Sequence, residues 1–386
     1  MDLKRRDFLK LAGVLGAGFV ITAYSADIKR VFAQVQAQTV HLVWLQLAGD
    51  SGCSISMLQA YNPDLVSSVV DLGVSVDFWS PFMTPDYELG NLGWINAGYT
   101  TEDTSQVPLF NAAYGDAPVD VLVVEGSPQV GTPPGGVPGG YCMVGQMNGQ
   151  GVTGYDLLQK LAAKATYVVS VGQCSAFGGI PAGKGNLTGA TSVTNALQMA
   201  AVTTMNTVVN MPGCPAHPDW TLVTLASVLQ GFAPDLDSIG RPTAFYSETI
   251  HDRCPRRGAY DKGDFAAVFD DPTGCLWKLG CKGPITYGAC SLTHWNSGTG
   301  TCTLAGPMCW GCMHPSFPDP PTSPFFQEIE LVPAFFGINV NDIAIGAAVA
   351  AVGIIGVHAV TKEIRGRGKE EDDTGKPESA EKRASN

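Results

Sequence analysis

Positive charge is scarce in this chain of 386 residues, where 23 Lys and Arg stand against 35 Asp and Glu for a net charge of −12. The shortage lies in the middle. Residues 1–37 carry six basic and three acidic groups and residues 362–386 carry seven of each, leaving ten basic against twenty-five acidic groups between them. A body that acidic is a poor match to a phosphate backbone, so nucleic-acid binding is disfavoured. Charged residues make up only 15% of the chain and apolar ones 45%, which excludes wholesale disorder. Cysteine is thin for a disulfide scaffold, with eleven in the whole chain against roughly 8–10% in such chains. An odd number also leaves at least one thiol outside any pure disulfide framework. The Gly/Pro-rich stretch 126–140 has neither a Gly-Lys-Ser/Thr loop nor a GxGxxG opening a helix, so it is not a phosphate cradle.

What is present begins with two address segments. Lys4-Arg5-Arg6-Asp7-Phe8-Leu9-Lys10 precedes an apolar run to Tyr24, the pattern of a twin-arginine (Tat) export signal. The uncharged run 11–26 has 16 residues with four Gly/Ser interruptions, which is short for a membrane span. Small residues at Ala33 and Ala37 offer cleavage points, so residues 1–37 are assigned to the signal. Near the other end, residues 343–360 carry no Asp, Glu, Lys or Arg. As a helix that run covers roughly 27 Å, close to a hydrocarbon core. With Phe335, Phe336 and Ile338 before it, the expected anchor helix is 335–361. Lys362, Arg365, Arg367 and Lys369 follow, placing the charged tail 362–386 in the cytoplasm and the body outside. His358 is the single ionisable group inside the apolar run, and imidazole there is either a haem ligand or an interfacial side chain.

Between these segments the expected fold class is α/β. Four β-branched, apolar runs (40–47, 119–125, 167–172 and 207–211) alternate with helical patterns at 155–165 and 192–201, which argues for a parallel sheet. In such sheets ligands bind beyond the carboxyl ends of the strands. Each run is followed there by a metal-ligand type: Asp50 and Cys53, Cys142, Cys174, and Cys214. After about residue 216 periodicity fades, and residues 251–325 hold His251, Cys254, Cys275, Cys281, Cys290, Cys302, Cys309 and Cys312. A stretch so poor in regular elements needs covalent or metal organisation. Disulfides, zinc and iron–sulfur clusters all answer that need.

Six motifs in order narrow the choice. They are Val43-Trp44-Leu45 leading to Gly52-Cys53-Ser54, Gly172-Gln173-Cys174-Ser175-Ala176-Phe177-Gly178-Gly179-Ile180-Pro181, and Gly213-Cys214-Pro215-Ala216-His217-Pro218-Asp219-Trp220. The others are His251-Asp252-Arg253-Cys254-Pro255-Arg256-Arg257, Gly280-Cys281-Lys282-Gly283-Pro284, and Cys309-Trp310-Gly311-Cys312. Through them the chain resembles, over nearly its whole length, the small, electron-transferring subunit of membrane-bound uptake [NiFe] hydrogenases. The resemblance implies a flavodoxin-like domain, 38–215, and an irregular Fe–S domain, 216–330, carrying three clusters. The proximal [4Fe–4S] cluster would draw on Cys53, Cys174 and Cys214. The distal [4Fe–4S] cluster would draw on His251, Cys254, Cys275 and Cys281, and the medial cluster on Cys290, Cys309 and Cys312. It further implies a large subunit holding the NiFe centre and assembly as a higher oligomer of heterodimers. Electrons would pass to a membrane cytochrome b or another quinone-linked acceptor, with a haem b shared at His358, and the protein would sit in the lipid bilayer with its clusters on the outer face.

Two departures stand out. Where the family opens with Glu-Cys-x-Gly-Cys, this chain reads Gly49-Asp50-Ser51-Gly52-Cys53, so the fourth proximal ligand is expected to be Asp50 or Cys142. Cys302 stands where a proline accompanies the usual [3Fe–4S] medial cluster, so a [4Fe–4S] medial cluster with Cys302 as fourth ligand is expected. The rival readings are an H2-evolving or sensory hydrogenase subunit and, from another class, a disulfide-stapled exported binding module.

Overall fold

In the computed structural model the described residues are 39–61, 64–71, 74–80, 108–147 and 150–318. The signal 1–37, the anchor 335–361 with His358, and the tail 362–386 lie outside them. Among the described residues no helix is long and apolar enough to cross a membrane.

Five strands form one parallel sheet: β1 (Val40–Gln46), β2 (Val74–Trp79), β3 (Val121–Glu125), β6 (Tyr167–Val171) and β7 (Val209–Met211), in the order β2-β1-β3-β6-β7. Counted along the chain, the parallel strands run 2-1-3-4-5, the order of doubly wound flavodoxin-like sheets. Four of them answer the four apolar runs. β2 was not among the expected strands, although its sequence, VSVDFW, opens on the alternation of a half-buried strand. A separate antiparallel hairpin pairs β4 (Met143–Met147) with β5 (Gln150–Thr153).

Alternation along the strands splits the core in two. Val43, Leu45, Leu122 and Val124 face one core with helices α3 (Pro108–Tyr114), α4 (Gly154–Lys164) and α6 (Val193–Met199). Leu42, Trp44, Val121, Val123, Val169 and Val171 face the other, with α1 (Gly52–Met57), α2 (Leu65–Asp71) and α7 (Pro218–Leu229) on that side. β3 and β6 are buried along their whole length, as central strands covered on both faces must be. Helix α4 shows how the sequence sets one element. Thr153 Oγ1 accepts the Asp156 N–H at 3.0 Å as N-cap, and Asp156 and Lys164 sit at the ends where the helix dipole favours them. Its Leu157, Leu158 and Leu161 are fully buried, each worth about 1.5–3 kcal/mol.

Beyond α7 the texture changes. Residues 243–305 contain only helical turns of three to five residues. Phe245, Tyr246, Ala289, Cys290 and Trp295 join the second core of the sheet, and the remainder is supported by two small clusters, one around Ala266, Leu276 and Met308 and one around Cys275 and Trp277.

Candidate metal-cluster sites

The first site crowns the sheet at the switch point between β1 and β3. β1 leads into α1, whose Cys53 is buried. β6 leads through Gly172 into α5 (Gln173–Phe177) and Cys174, while β7 leads through Gly213 to Cys214. Close approach dictates glycine at two points. A Cβ on Gly172, at φ +94°, would lie 2.5 Å from Cys53 Sγ. One on Gly126, at φ +83°, would lie 2.8 Å from the Ala48 carbonyl oxygen. No L side chain fits either place.

Charge interactions show which groups share this site. Burial first, then Glu125, Cys174 and Asp50, push the Cys53 thiol well up, against the Ala216 N–H that points at its sulfur from 3.4 Å. Burial, Cys214 and Asp50 push Cys174 up to about 12. Cys214 is raised by burial and by Asp50. Asp50 therefore bears on all three thiols, although it is exposed and its Oδ1 accepts the Gly52 N–H at 2.8 Å. Cys142 is placed differently. It packs against the α3/α4/α6 core, and a Cβ on Gly154 would lie 3.1 Å from its sulfur. Its thiol is raised by burial and lowered by the Gly154 N–H, with no contribution from Asp50 or the other thiols.

Sequence reasoning passed over Glu125. This carboxylate is buried at the end of β3. Its Oε1 accepts the N–H groups of Cys53 and Ser54, each at 3.0 Å. Its Oε2 accepts Trp44 Nε1–H at 2.9 Å and the Ser54 hydroxyl. The available signal was a lone acid closing the otherwise apolar strand VLVVE.

The second site gathers Cys290, Cys302, Cys309 and Cys312 around a cavity of about 650 Å³ that Cys214 also lines. Burial and then Cys312 raise the Cys290 thiol, and Cys312 is pushed up to about 12 by burial, with Cys302 and Cys214 adding to it. The third site is a pocket lined by His251, Cys254, Cys275 and Cys281, with Cys309 on its wall. The His251 ring stands edge-on to Tyr260 at 4.5 Å. Burial and the Arg257 guanidinium hold its imidazole below its ordinary range, in the neutral form that ligates metal. The sites adjoin in series: Cys214 bears on Cys312, and Cys281 on Cys309.

All eleven cysteines are free thiols. Among the described residues no three His, Cys, Asp or Glu converge on a single ion. Thiols ringed around a shared space suit a polynuclear iron–sulfur cluster. Thiolate is the form that ligates iron, so the thiols would give up their protons as a cluster binds.

Comparison with known proteins agrees with this geometry. The family describing the C-terminal part of the NiFe/NiFeSe hydrogenase small subunit matches residues 246–326, and the NADH ubiquinone oxidoreductase 20 Kd subunit family matches residues 51–228. The chain is 36% identical to the periplasmic [NiFeSe] hydrogenase small subunit of Desulfomicrobium baculatum, over 84% of this chain and 99% of that one. It is 32% identical to the quinone-reactive Ni/Fe-hydrogenase small chain of Wolinella succinogenes, over 93% and 95%. A crystal structure of the reduced, active Ni-Fe-Se hydrogenase from Desulfomicrobium baculatum superposes with a TM-score of 0.61 at 35% identity, covering 75% of this chain and 100% of that one. The sheet and its thiol-bearing crest thus define an iron–sulfur electron-transfer protein. The chain belongs to the small subunits of nickel–iron hydrogenases. It pairs with a large subunit, which holds the NiFe catalytic site.

Proposed function

We propose that this chain relays electrons from H2 oxidation in the large subunit through three clusters to a quinone-linked membrane acceptor. The observation that carries the reading is the serial arrangement of three donor sets, joined where Cys214 bears on Cys312 and Cys281 on Cys309. When bound, the clusters would supply one-electron carriers. The chain's own residues fix their order and environment. Cys53, Cys174, Cys214 and Asp50 hold the proximal cluster, Cys290, Cys302, Cys309 and Cys312 the medial, and His251, Cys254, Cys275 and Cys281 the distal.

Asp50 is the proposed fourth proximal ligand because its charge acts on all three thiols, whereas Cys142 packs on the other core. Its carboxylate is a harder donor than thiolate and leaves that cluster with less sulfur ligation. A neutral His251 in place of a thiolate removes one negative charge from the distal site, which raises its potential and suits the exit end of the relay. Exposed Ile55, Leu58 and Ile180, carried beside the proximal ligands on α1 and after α5, offer an apolar surface for the large subunit. The Tat signal, the anchor 335–361 and a haem b bound at His358 complete the proposed outer-face membrane enzyme. They rest on the sequence pattern of the two ends and on the likeness to a relative named quinone-reactive.

The test is EPR with iron quantification on the purified heterodimer, as isolated and after H2 reduction. About twelve cluster irons and no oxidised [3Fe–4S] signal are expected from three four-iron clusters. Cys302→Pro should bring up that signal, and Asp50→Ala should cost proximal iron while Cys142→Ala does not. About eleven irons with a strong [3Fe–4S] signal in the unsubstituted protein would restore a three-iron medial cluster and leave Cys302 a bystander.

A further inference from the structure

Five residues beyond Cys290 the chain turns back, and the indole of Trp295 points its Nε1–H at Cys290 Sγ from 3.4 Å. This indole is held from outside the medial loop. His217, buried just ahead of α7, lies 4.6 Å from the Trp295 ring and 4.3 Å from that of Trp220, on which it stacks within 5° of parallel. His217 Nε2–H donates to the His294 carbonyl at 2.6 Å. Trp220 Nε1–H donates to Thr293 Oγ1 at 3.0 Å. Three consecutive residues, 293 to 295, are thus gripped by the His217–Trp220 turn. That turn begins three residues after Cys214 and packs into the core beneath the sheet. His217 Nδ1 is buried without a partner, so its ring serves as a spacer fixed at one edge.

We propose that Trp295 is a positioning residue that tunes the medial cluster, its indole N–H hydrogen bond to the Cys290 sulfur raising that cluster's reduction potential. The inference rests on the reading of Cys290 as a medial ligand. The physical reason is electrostatic. Reduction adds negative charge that spreads onto the ligand sulfurs, and a donor aimed at one of them stabilises the reduced state more than the oxidised one. Because the His217–Trp220 turn holds the donor in place, the bond needs little rearrangement when the cluster changes charge.

Trp295→Phe in the purified heterodimer keeps a ring against His217 and removes the N–H. An EPR-monitored redox titration should show the medial cluster harder to reduce by about tenfold in its equilibrium constant, which is about 59 mV for one electron. The proximal and distal midpoints should stay put, and an exchangeable-proton coupling at the medial cluster, read by ENDOR in H2O and D2O, should disappear. A medial midpoint that stays, one that moves together with the other two, or a coupling that persists overturns the proposal. Cys290→Ser separates the two readings. If it leaves the medial spectrum unchanged, the ligand assignment fails. If it alters the spectrum while Trp295→Phe shifts nothing, the tuning alone fails. Should Trp295→Phe not assemble, His217→Phe frees the His294 carbonyl and loosens the indole. A smaller downward shift confined to the medial cluster is then expected, and an unshifted midpoint counts against the proposal.

Discussion

The proximal thiols and the medial and distal thiols are supported in different ways. Cys53 on α1, Cys174 on α5 and Cys214 after β7 sit where the chain leaves a five-stranded sheet with an apolar core on each face. Of the candidate ligands from His251 to Cys312, Cys290 and Cys302 open short helical turns and the others lie in irregular chain. Cys290 and Cys312 pack on the second core of the sheet, while the stretch from Cys254 to Cys281 is backed by two small apolar clusters. In the first region burial of Val, Leu and Trp supplies the stability and the cluster is a guest. In the second, the stretch 251–285 has only short helical turns and two small apolar clusters, so bound metal clusters would contribute to its folding itself.

The sharpest way to break this contrast is to remove iron anaerobically with a chelator. Amides across 251–285 should then exchange nearly freely with solvent while those of β1, β3 and β6 stay protected, as read by hydrogen–deuterium exchange mass spectrometry. Equal loss in both regions would abolish the distinction. A smaller effect should follow Glu125→Ala, which leaves the buried N–H groups of Trp44, Cys53 and Ser54 without their acceptor. At about 1–3 kcal/mol for each unsatisfied donor, the loss is on the order of 5 kcal/mol. The proximal cluster should bleach first in a denaturant titration, and an unchanged midpoint would show that the sheet crest does not depend on this carboxylate.

The smallest expected effect lies on the seam between the regions. Burial lowers the His217 pKa from 6.5 to about 4. Between those values the unfolded chain binds a proton that the folded chain refuses. Stability is therefore fully present above pH 6.5 and falls as pH drops through about 4, by about 3 kcal/mol in all. His217→Phe should flatten that part of the pH–stability profile. A variant as acid-sensitive as the parent would place the effect in other groups.

Much of the fold was legible because strands and helices advertise themselves by period. The four apolar runs and the patterns at 155–165 and 192–201 each became the expected element, with shifts of a residue or two at the ends. β2 was passed over although VSVDFW alternates, because two charged or polar positions dilute its apolar count. Ligand types were legible too, since thiols in motif order are chemically distinctive. Which thiols meet was harder to see. Cys142 follows a strand just as Cys174 does, yet the hairpin β4–β5 and Gly154 carry it to the opposite core. Glu125 and Trp295 belong to no ligand motif, and only the contacts they make mark them out.

By itself, then, the sequence determined the family, the alternation of elements and the inventory of donors, because these depend on residue type and local spacing. Tertiary structure alone decided which other groups those donors meet. Asp50 was brought to bear on three thiols from three different strand ends, Glu125 was set beneath Cys53, and His217 was slid between Trp220 and Trp295. Apart from the three-residue steps from Asp50 to Cys53 and from His217 to Trp220, such neighbours lie tens to more than a hundred residues apart in the chain. What brings them together is the pairing order of the strands and the packing of two cores, which no local pattern encodes.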